Sequence, residues 1–330
     1  MRRRSTSGAR SSPSPGRPAP DASKRSTAER TRATSLRASD RRDYAAYVPL
    51  YRLEEPSPPL TAPVVVAAFD GWIDAAGAAS SAADQLADDG KLLATFEGDV
   101  LFDYRSRRPT LDVVDGTLTR LVWPTLELHR RGASGRDLLV LHGAEPDFRW
   151  KELANDILEL CLRLGVVEWV SLGAIPAAVP HTRPVPVMAT ASAEGALHEA
   201  ETKGPPGLLR VPSAGLSAME VVVSGSGIPA VGFYAQVPHY VGGPYAAATL
   251  ALLQHLSRHL RIELPLDALN EDAMTQRERL DAAVAGDDDV RAILLQLESA
   301  SEEELPSGDD LAAEIERYLR NEGPGTIPPS

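Results

Sequence analysis

The sequence predicts an α/β protein in which a mostly parallel sheet lies between helices. Continuous apolar runs, of which VVVAAF at residues 64–69 is the first, are typical of strands that are buried on both faces of a sheet. These runs alternate along the chain with segments of helical periodicity. After Glu263 the pattern is purely helical, with helices expected at 267–285, 290–300 and 309–320. The fold class is therefore α/β with a C-terminal helical extension.

The elements between these ends follow from local signals. The first strand ends at Asp70, and Asp74 is expected to cap an alanine- and serine-rich helix that ends near Gly90. The turn residues Asp115 and Gly116 between β-rich arms predict a hairpin insertion at 111–122. Further strands are expected at 91–96, 126–129 (an edge strand), 137–142, 166–172, 185–189, 208–211 and 230–237, and helices at 149–164, 193–202, 216–224 and 244–261.

Charge is distributed unevenly along the 330 residues, whose net charge is −12. The first 43 residues hold twelve basic and four acidic residues, so the rest of the chain carries −20, of which −13 lies in residues 263–330. The basic tail has few large apolar groups, which predicts disorder. We expect a disordered tail at 1–43, an α/β domain at 44–262, an acidic helical extension at 263–322 and a flexible C-terminus at 323–330.

Composition excludes several function classes. No apolar run reaches the length of about 18 residues that a membrane-spanning helix needs, so no membrane association is expected. The single cysteine, Cys161, excludes an internal disulfide and a thiolate metal cage, and favours the reducing cytoplasm. The acidic body repels nucleic acid, so such contacts are expected only from the tail. The tail itself has three interpretations: a solvated arm, an over-extended start site or a polyanion-binding arm.

Polar side chains follow four of the predicted strands, and the carboxyl ends of parallel strands meet at one rim of a sheet. The candidate pocket residues at this rim are Asp70, Trp72, Asp74, Glu145, His181, Arg183, His239 and Tyr240. In an enzyme Arg183 would clamp an anion, His181 or His239 would move protons, and Asp70 or Glu145 would orient them. Catalysis, a non-catalytic binding crevice and plain loop architecture all stay open as interpretations of this rim.

Searches for specific motifs find none. The sequence has no phosphate-binding P-loop, no G-x-S-x-G nucleophile elbow and no H-E-x-x-H zinc motif. Gly225, Ser226 and Gly227 follow a predicted helix and are expected to end it, and His142 lies inside a strand, where a structural role is expected. We therefore expect no cofactor, no metal ion and no established catalytic residue, and the sequence favours a non-enzymatic protein.

Six short blocks resemble the proteasome-assembly-chaperone family, in the branch found in actinobacteria. They follow one another in order between about residues 60 and 297. The blocks are AFDGWIDAAG at 68–77, FDY at 102–104 with RPT at 108–110, VWP at 122–124, GAEP at 143–146 with RW at 149–150, VPHTRPVPV at 179–187 and VPHYV at 237–241.

The resemblance implies a three-layer α/β/α domain of the phosphorylase/hydrolase-like type, followed by helices. It also implies a non-catalytic role, because relatives in eukaryotes and archaea are chaperones that dock on proteasome α-subunits. Some bacterial members were labelled ATP-dependent carboxylate–amine ligases, which the missing nucleotide motif does not support. Docking relatives often end in a hydrophobic–Tyr–any-residue tail, whereas this chain ends in IPPS at 327–330, so that insertion is not expected here.

The sequence thus favours a cytoplasmic, non-enzymatic interaction protein that forms a homo-oligomer. The interface is expected to draw on the apolar sheet edge and the hairpin region at 102–124. Proteasome subunits are candidate partners. The alternative function is a small-molecule binder or enzyme that takes a nucleoside- or phosphate-like ligand at the rim.

Overall fold

A mixed sheet of eight strands forms the centre of the computed structural model, which describes residues 47–54 and 59–301. The tail predicted at 1–43, the helix predicted at 309–320 and the C-terminus at 323–330 lie outside the described residues. The strands in chain order are β1 (Tyr51–Leu53), β2 (Val64–Asp70), β3 (Lys91–Phe96), β4 (Thr110–Val114), β5 (Thr117–Val122), β6 (Leu126–Ala133), β7 (Arg136–Ala144), β8 (Glu168–Ala177), β9 (Val187–Ala191) and β10 (Ala230–Pro238).

The central strands are parallel, as the apolar runs predict. The spatial order is β1-β3-β6-β7-β2-β8-β10-β9, and β7, β2, β8 and β10 run in one direction. Strand β2 is buried from Val64 to Phe69, because it lies between two neighbours and both of its faces are covered. The carboxyl ends of the four parallel strands therefore meet at one edge, where ligands bind in open α/β sheets.

Helices cover both faces of this sheet and make three layers. The helices are α1 (Ala78–Ala87), α2 (Gly98–Leu101), α3 (Trp150–Leu164), α4 (Gly215–Gly225), α5 (Ala246–Leu260), α6 (Asp267–Ala285) and α7 (Asp288–Ser301). On one face α3 and α4 bury Ile157 and Met219 against the sheet. On the other face α1 and α5 bury Leu86 and Leu252. The chain therefore has the predicted three-layer α/β/α architecture.

The helical extension begins where the sequence predicts it. Helix α6 has the expected bounds and packs against α5, and α7 begins two residues earlier than expected. Within α6 only Ala273 and Val284 are buried, which agrees with the acidic, solvated character of this part of the sequence. The extension adds to the outer helical layer on the α5 side of the molecule.

The predicted hairpin is also present. Among the described strands, β4 and β5 pair only with each other and form a separate two-stranded sheet. Asp115 and Gly116 have φ values of 49° and 78°, the left-handed pair that a type I′ turn requires. Trp123 closes the hairpin with its ring edge-on to Tyr104, at a centroid distance of 4.6 Å.

Three sequence-based predictions are wrong. Residues 193–202 form turns instead of a helix, since Gly195 takes a φ of 82° and breaks the pattern. Residues 208–211 form no strand, because the prolines and Gly207 before them, at φ 92°, turn this segment away from the sheet. Strand β6 is not an edge strand, since it pairs with both β3 and β7.

Within the described ranges, each helix is too short or too polar to span a lipid bilayer.

Candidate functional site

A buried carboxylate fixes the loop that follows β2. Glu145, only 8% exposed, accepts a hydrogen bond from the Trp72 backbone N–H through Oε2 at 2.8 Å. Its other oxygen, Oε1, accepts from the Gly215 N–H at 2.6 Å, at the start of α4. A Cβ on Gly71 would lie 2.2 Å from Glu145 Oε2, so only glycine fits there. Glu145 therefore positions two backbone segments and has both oxygens occupied.

The same loop ends at Asp74, which has the predicted capping role. Its Oδ1 accepts hydrogen bonds from the Ala79 and Ser80 N–H groups at 2.7 and 3.1 Å. Helix α1 itself starts only at Ala78, after a 3₁₀ turn at Ala75–Gly77. Burial raises the pKa of Asp74, although the hydrogen bonds from Ser80 and Ala79 act in the opposite direction.

Trp72 and Asp74 form part of the wall of a cavity of about 410 Å³. This volume lies in the range of small-molecule sites, about 300–1,000 Å³. The other walls come from β8, β9 and β10, from the segment after residue 203 and from α4. The lining side chains that matter most are Ile73, Ile175, Met188, Thr190, Leu209, Val211, Ser217 and Tyr234. The wall is mostly apolar, and no described lining residue is a lysine or an arginine.

The Tyr234 ring lies across two glycines of the sheet. A Cβ on Gly173 would stand 2.6 Å from Tyr234 Cδ1, and a Cβ on Gly232 would stand 2.8 Å from Cε2. These strand positions lack side chains, which leaves the ring room to lie flat against the backbone. Burial raises the pKa of Tyr234 well above its usual range, and the nearby charge of Glu220 adds to this effect. Tyr234 is therefore a neutral phenol at physiological pH.

A chain of hydrogen-bonded polar groups connects β8 to α4 near Tyr234. Trp169 donates from Nε1 to Ser171 Oγ at 2.8 Å, and Ser171 donates to Glu220 Oε2 at 2.6 Å. Burial raises the pKa of Glu220, while the hydrogen bond from Ser171 lowers it. Ser171 is fully buried, so it satisfies buried groups and cannot act as a nucleophile on a bound molecule.

Two of the predicted rim residues instead meet the helical extension. His181 is 2% exposed, and its Nδ1 lies 2.8 Å from the Tyr240 hydroxyl. On its other side Nε2 lies 3.1 Å from Asp281 Oδ1 in α6, and Arg277 donates to the His181 carbonyl at 3.1 Å. Next to it, Thr182 donates to Glu298 of α7. Burial lowers the pKa of His181, against the opposing effect of Asp281.

The three other rim residues lie near the surface. Asp70 is exposed and pairs with Arg107 at 3.3 Å. His239 is exposed, and its backbone N–H donates to the Ala177 carbonyl at 3.2 Å. Arg183 is exposed, and neither it nor His239 is among the residues that line the cavity. The fold thus brings Trp72 and Asp74 to one cavity and His181 and Tyr240 to the extension.

Sequence reasoning missed most of the cavity wall. Tyr234, Met188 and Ile175 lie inside strands, so a reading of strand ends alone does not find them. The sequence holds one sign of the surroundings of Tyr234. Glu220, whose charge affects the pKa of Tyr234, is an acid within the apolar run MEVVV of α4. A second was the glycine pair Gly173 and Gly232 in two otherwise apolar strands.

Comparison with known proteins adds the relatives of this fold. The model of the PAC2 family matches residues 68–284. A Mycobacterium tuberculosis protein of unknown function is 33% identical, with a TM-score of 0.76 over 85% of this chain and 99% of that chain. A protein of unknown function from Corynebacterium glutamicum ATCC 13032 is 32% identical, with a TM-score of 0.73 over 77% of this chain and 97% of that chain.

A third relative carries a functional description. It is a proteasome-assembly chaperone homologue from Mycobacterium tuberculosis, 33% identical, with a TM-score of 0.64 over 70% of this chain and 99% of that chain. No curated protein matches the sequence. The residues that the family model matches include Trp72, Asp74 and Tyr234 of the cavity wall.

Proposed function

The chain belongs to the PAC2 family, and we propose that it is an interaction protein of the proteasome-assembly type that self-associates through the β4–β5 hairpin. The observation that carries the proposal is the exposure of this hairpin. One of the two Mycobacterium tuberculosis relatives is described as a proteasome-assembly chaperone homologue, which supports proteasome subunits as the partner of this chain. An interaction role of this type needs no catalytic residues. It also implies that the protein works in the cytoplasm, where it would meet proteasome subunits.

The hairpin presents large apolar side chains to solvent on both strands. Each is at least 38% exposed: Leu111, Val113, Val114, Leu118, Leu121, Val122 and Trp123. Two-stranded hairpins are at best marginally stable alone in water. Contiguous exposed apolar surface marks interaction sites in soluble proteins. A hairpin of this composition is therefore expected to be covered by a partner.

A second copy of the chain is the partner that we propose for the hairpin. Both strands are edge strands in the described part of the chain, because β4 and β5 pair there only with each other. Two hairpins related by a two-fold axis can pair edge to edge and pack their apolar faces together, which is an isologous contact. Such an assembly satisfies the free backbone groups of the edge and buries the apolar side chains in one step.

Light scattering coupled to size exclusion tests the self-association. We expect wild-type protein at micromolar concentration to have at least twice the mass of one chain. Val113→Lys and Leu118→Lys, at two positions that face each other in the hairpin register, should give monomers because a charge would be buried in the contact. The matched control is Val221→Lys on α4, where the side chain is 70% exposed. A monomeric wild type, or hairpin variants that keep the assembly, would refute this part.

Quantitative mass spectrometry of proteins that co-purify from the native cells tests the partner. We expect enrichment of proteasome α-subunits, above all unassembled ones, relative to a tag-only control. The Val221→Lys protein should retain this enrichment. If α-subunits are absent from the wild-type sample, the proteasome role is wrong, whatever other proteins are captured.

The cavity favours a second candidate function, the binding of a small molecule. Trp72 and Tyr234 offer aromatic surface, and Asp74 offers an acceptor. The absence of lysine and arginine from the described wall disfavours a phosphate group and favours a neutral, flat ligand of the nucleoside type. Arg183, which the sequence assigned to an anion, is not in this wall.

Thermal denaturation with a panel of nucleosides and the matching nucleotides tests this second function. We expect nucleosides to raise the midpoint more than nucleotides do. The rise should disappear in Trp72→Ala and persist in Arg183→Ala. If no nucleoside shifts the wild-type midpoint, or if the shift depends on Arg183, the cavity is not the binding site.

A further inference from the structure

A cluster of histidines and carboxylates lies away from the cavity, between α1 and the strands β6 and β7. Glu127 and His129 are two residues apart on β6, and His142 faces Glu127 from β7 in the strand register. These three side chains therefore share the sheet face that α1 covers. Asp84 reaches the cluster from α1, where its Oδ1 lies 2.9 Å from His142 Nδ1. We call these four residues the β6–β7 cluster.

Each imidazole in the cluster uses one nitrogen for a carboxylate. His129 Nε2 lies 2.9 Å from Glu127 Oε2, as His142 Nδ1 does from Asp84 Oδ1. A carboxylate only accepts, so these nitrogens carry the hydrogen and the lone pair of a neutral ring lies on the other nitrogen. Asp84 thus holds His142 as carboxylates hold histidines that bind metals.

The opposite nitrogens of the two rings have no partner. Among the described residues, three buried side-chain atoms lack a hydrogen bond, and two of them are His129 Nδ1 and His142 Nε2. Their rings stand edge to face with centroids 4.9 Å apart. A buried polar atom without a partner costs free energy, so a pair of them in adjacent rings points to a missing ligand.

We propose that Glu127, His129 and His142 bind a divalent transition-metal ion, with Zn²⁺ as the best match. One ligand atom from each of the three lies within 4.8 Å of the others. Ligand atoms in a tetrahedral zinc site are about 3.4 Å apart, so the rings must rotate and Glu127 must exchange its hydrogen bond with His129 Nε2 for the ion. Two imidazoles and a carboxylate suit zinc, while calcium and magnesium prefer oxygen ligands alone.

The site lies at the margin of the core, where an ion can enter when the side chains rotate. The side chains of His129, His142 and Glu127 are 19%, 16% and 30% exposed, although the two unpartnered nitrogens themselves are shielded from water. Asp84 is 68% exposed and supplies a second negative charge next to the ion. The two carboxylates together balance the charge of a divalent cation.

A second group of histidines and a carboxylate is a weaker candidate for a metal site. His198, Glu201 and His259 also approach one another. Both ring nitrogens of His259, however, already lie 2.8 Å from carboxylates, those of Glu168 and Glu201. His259 therefore has no lone pair available for a metal ion.

Isothermal titration of tag-free, chelator-treated protein with ZnCl₂ tests the proposal, with Co²⁺ absorption as a readout of the ligand geometry. His129→Gln and His142→Asn keep the hydrogen bonds to Glu127 and Asp84 while they remove the free nitrogens. We expect one Zn²⁺ per chain in the wild type and a loss of affinity of at least tenfold in each variant. Excess Zn²⁺ should raise the wild-type thermal midpoint by roughly 5 °C or more and leave the variants unchanged.

Controls make the assignment specific. Far-UV circular dichroism should show that both variants are folded, and His198→Asn should bind Zn²⁺ like the wild type. MgCl₂ should give no heat of binding. A wild type that binds no Zn²⁺, binding that His198→Asn abolishes, or variants that bind as tightly as the wild type would each overturn the proposal.

Discussion

His181 Nε2 lies 3.1 Å from Asp281 Oδ1 and so links the loop after β8 to helix α6, one hundred residues later in the chain. The histidine is almost fully enclosed, and Tyr240 occupies its other nitrogen. Burial lowers the pKa of this ring, with Asp281 acting in the opposite direction. A residue that looks suited to proton transfer in the sequence therefore serves to attach the helical extension.

Asp281→Ala should loosen that attachment. The change leaves a buried imidazole nitrogen without its partner, which costs about 1–3 kcal/mol of the free energy of unfolding. Urea denaturation of the full chain measures it. Asp288→Ala is the control, since Asp288 is 93% exposed and its pairing with Arg291 is a surface contact worth little. Equal stability of the two variants would mean that the contact with His181 contributes nothing.

Glu145→Gln should be costly although it keeps the shape of the side chain. The carboxylate accepts from Trp72 and Gly215 with separate oxygens, and an amide offers only one acceptor. One backbone N–H then faces an NH₂ group, so we expect a loss of about 1–3 kcal/mol in chemical denaturation. Glu152→Gln, which changes only a partly exposed pair with Arg149, should lose less than about 1 kcal/mol. A loss at Glu145 no larger than this control would show that the second acceptor is dispensable.

His259 should make stability depend on pH. Burial disfavours its charge, but Glu168 and Glu201 outweigh that effect and raise its pKa above the ordinary value of 6.5. The folded protein therefore binds this proton more tightly than the unfolded chain does. The resulting stability is fully present below pH 6.5 and is lost as the pH rises through the folded-state pKa. The stability difference between the wild type and His259→Gln should shrink over this range in urea denaturation.

His255 provides the comparison of opposite sign. Burial lowers its pKa, against the backbone hydrogen bond to Ala251. The contribution of His255 to the free energy of unfolding is therefore present above pH 6.5 and is lost as the pH falls through the folded-state pKa. His255→Gln should differ most in stability from the wild type at alkaline pH. If His255→Gln and His259→Gln changed stability with the same pH trend, at least one of the two pKa shifts would have the wrong direction.

The fold was accessible from the sequence because its strongest signals are local. Apolar runs such as 64–69 and the turn pair Asp115 and Gly116 determine their conformation without help from distant residues. Residues 193–202 misled the prediction because a single glycine with positive φ overrides the composition of its neighbours. The position of β6 inside the sheet depends on pairing with β3, a contact that periodicity does not reveal.

The candidate site was harder to predict, since it depends on contacts between distant segments. The capping role of Asp74 was predicted from its local pattern. The separation of His181 from the cavity could not be found, because it requires knowing that α6 packs beside this loop. The β6–β7 cluster was missed for the same reason: Glu127 and His142 become neighbours only through the strand register.

Gly173→Ala should displace the Tyr234 ring from the cavity wall. The new methyl group would stand 2.6 Å from Cδ1 of that ring, and overpacking of this kind costs about 1–3 kcal/mol. In a Tyr234→Ala background the ring is gone, so the same substitution should be neutral or stabilising by up to about 1 kcal/mol. Gly225→Ala, where a Cβ meets no atom within 4 Å, is the control and should be neutral or stabilising in both backgrounds. A double-mutant cycle by urea denaturation measures the coupling between positions 173 and 234. Equal effects of Gly173→Ala with and without the ring would contradict the packing of Tyr234 against Gly173.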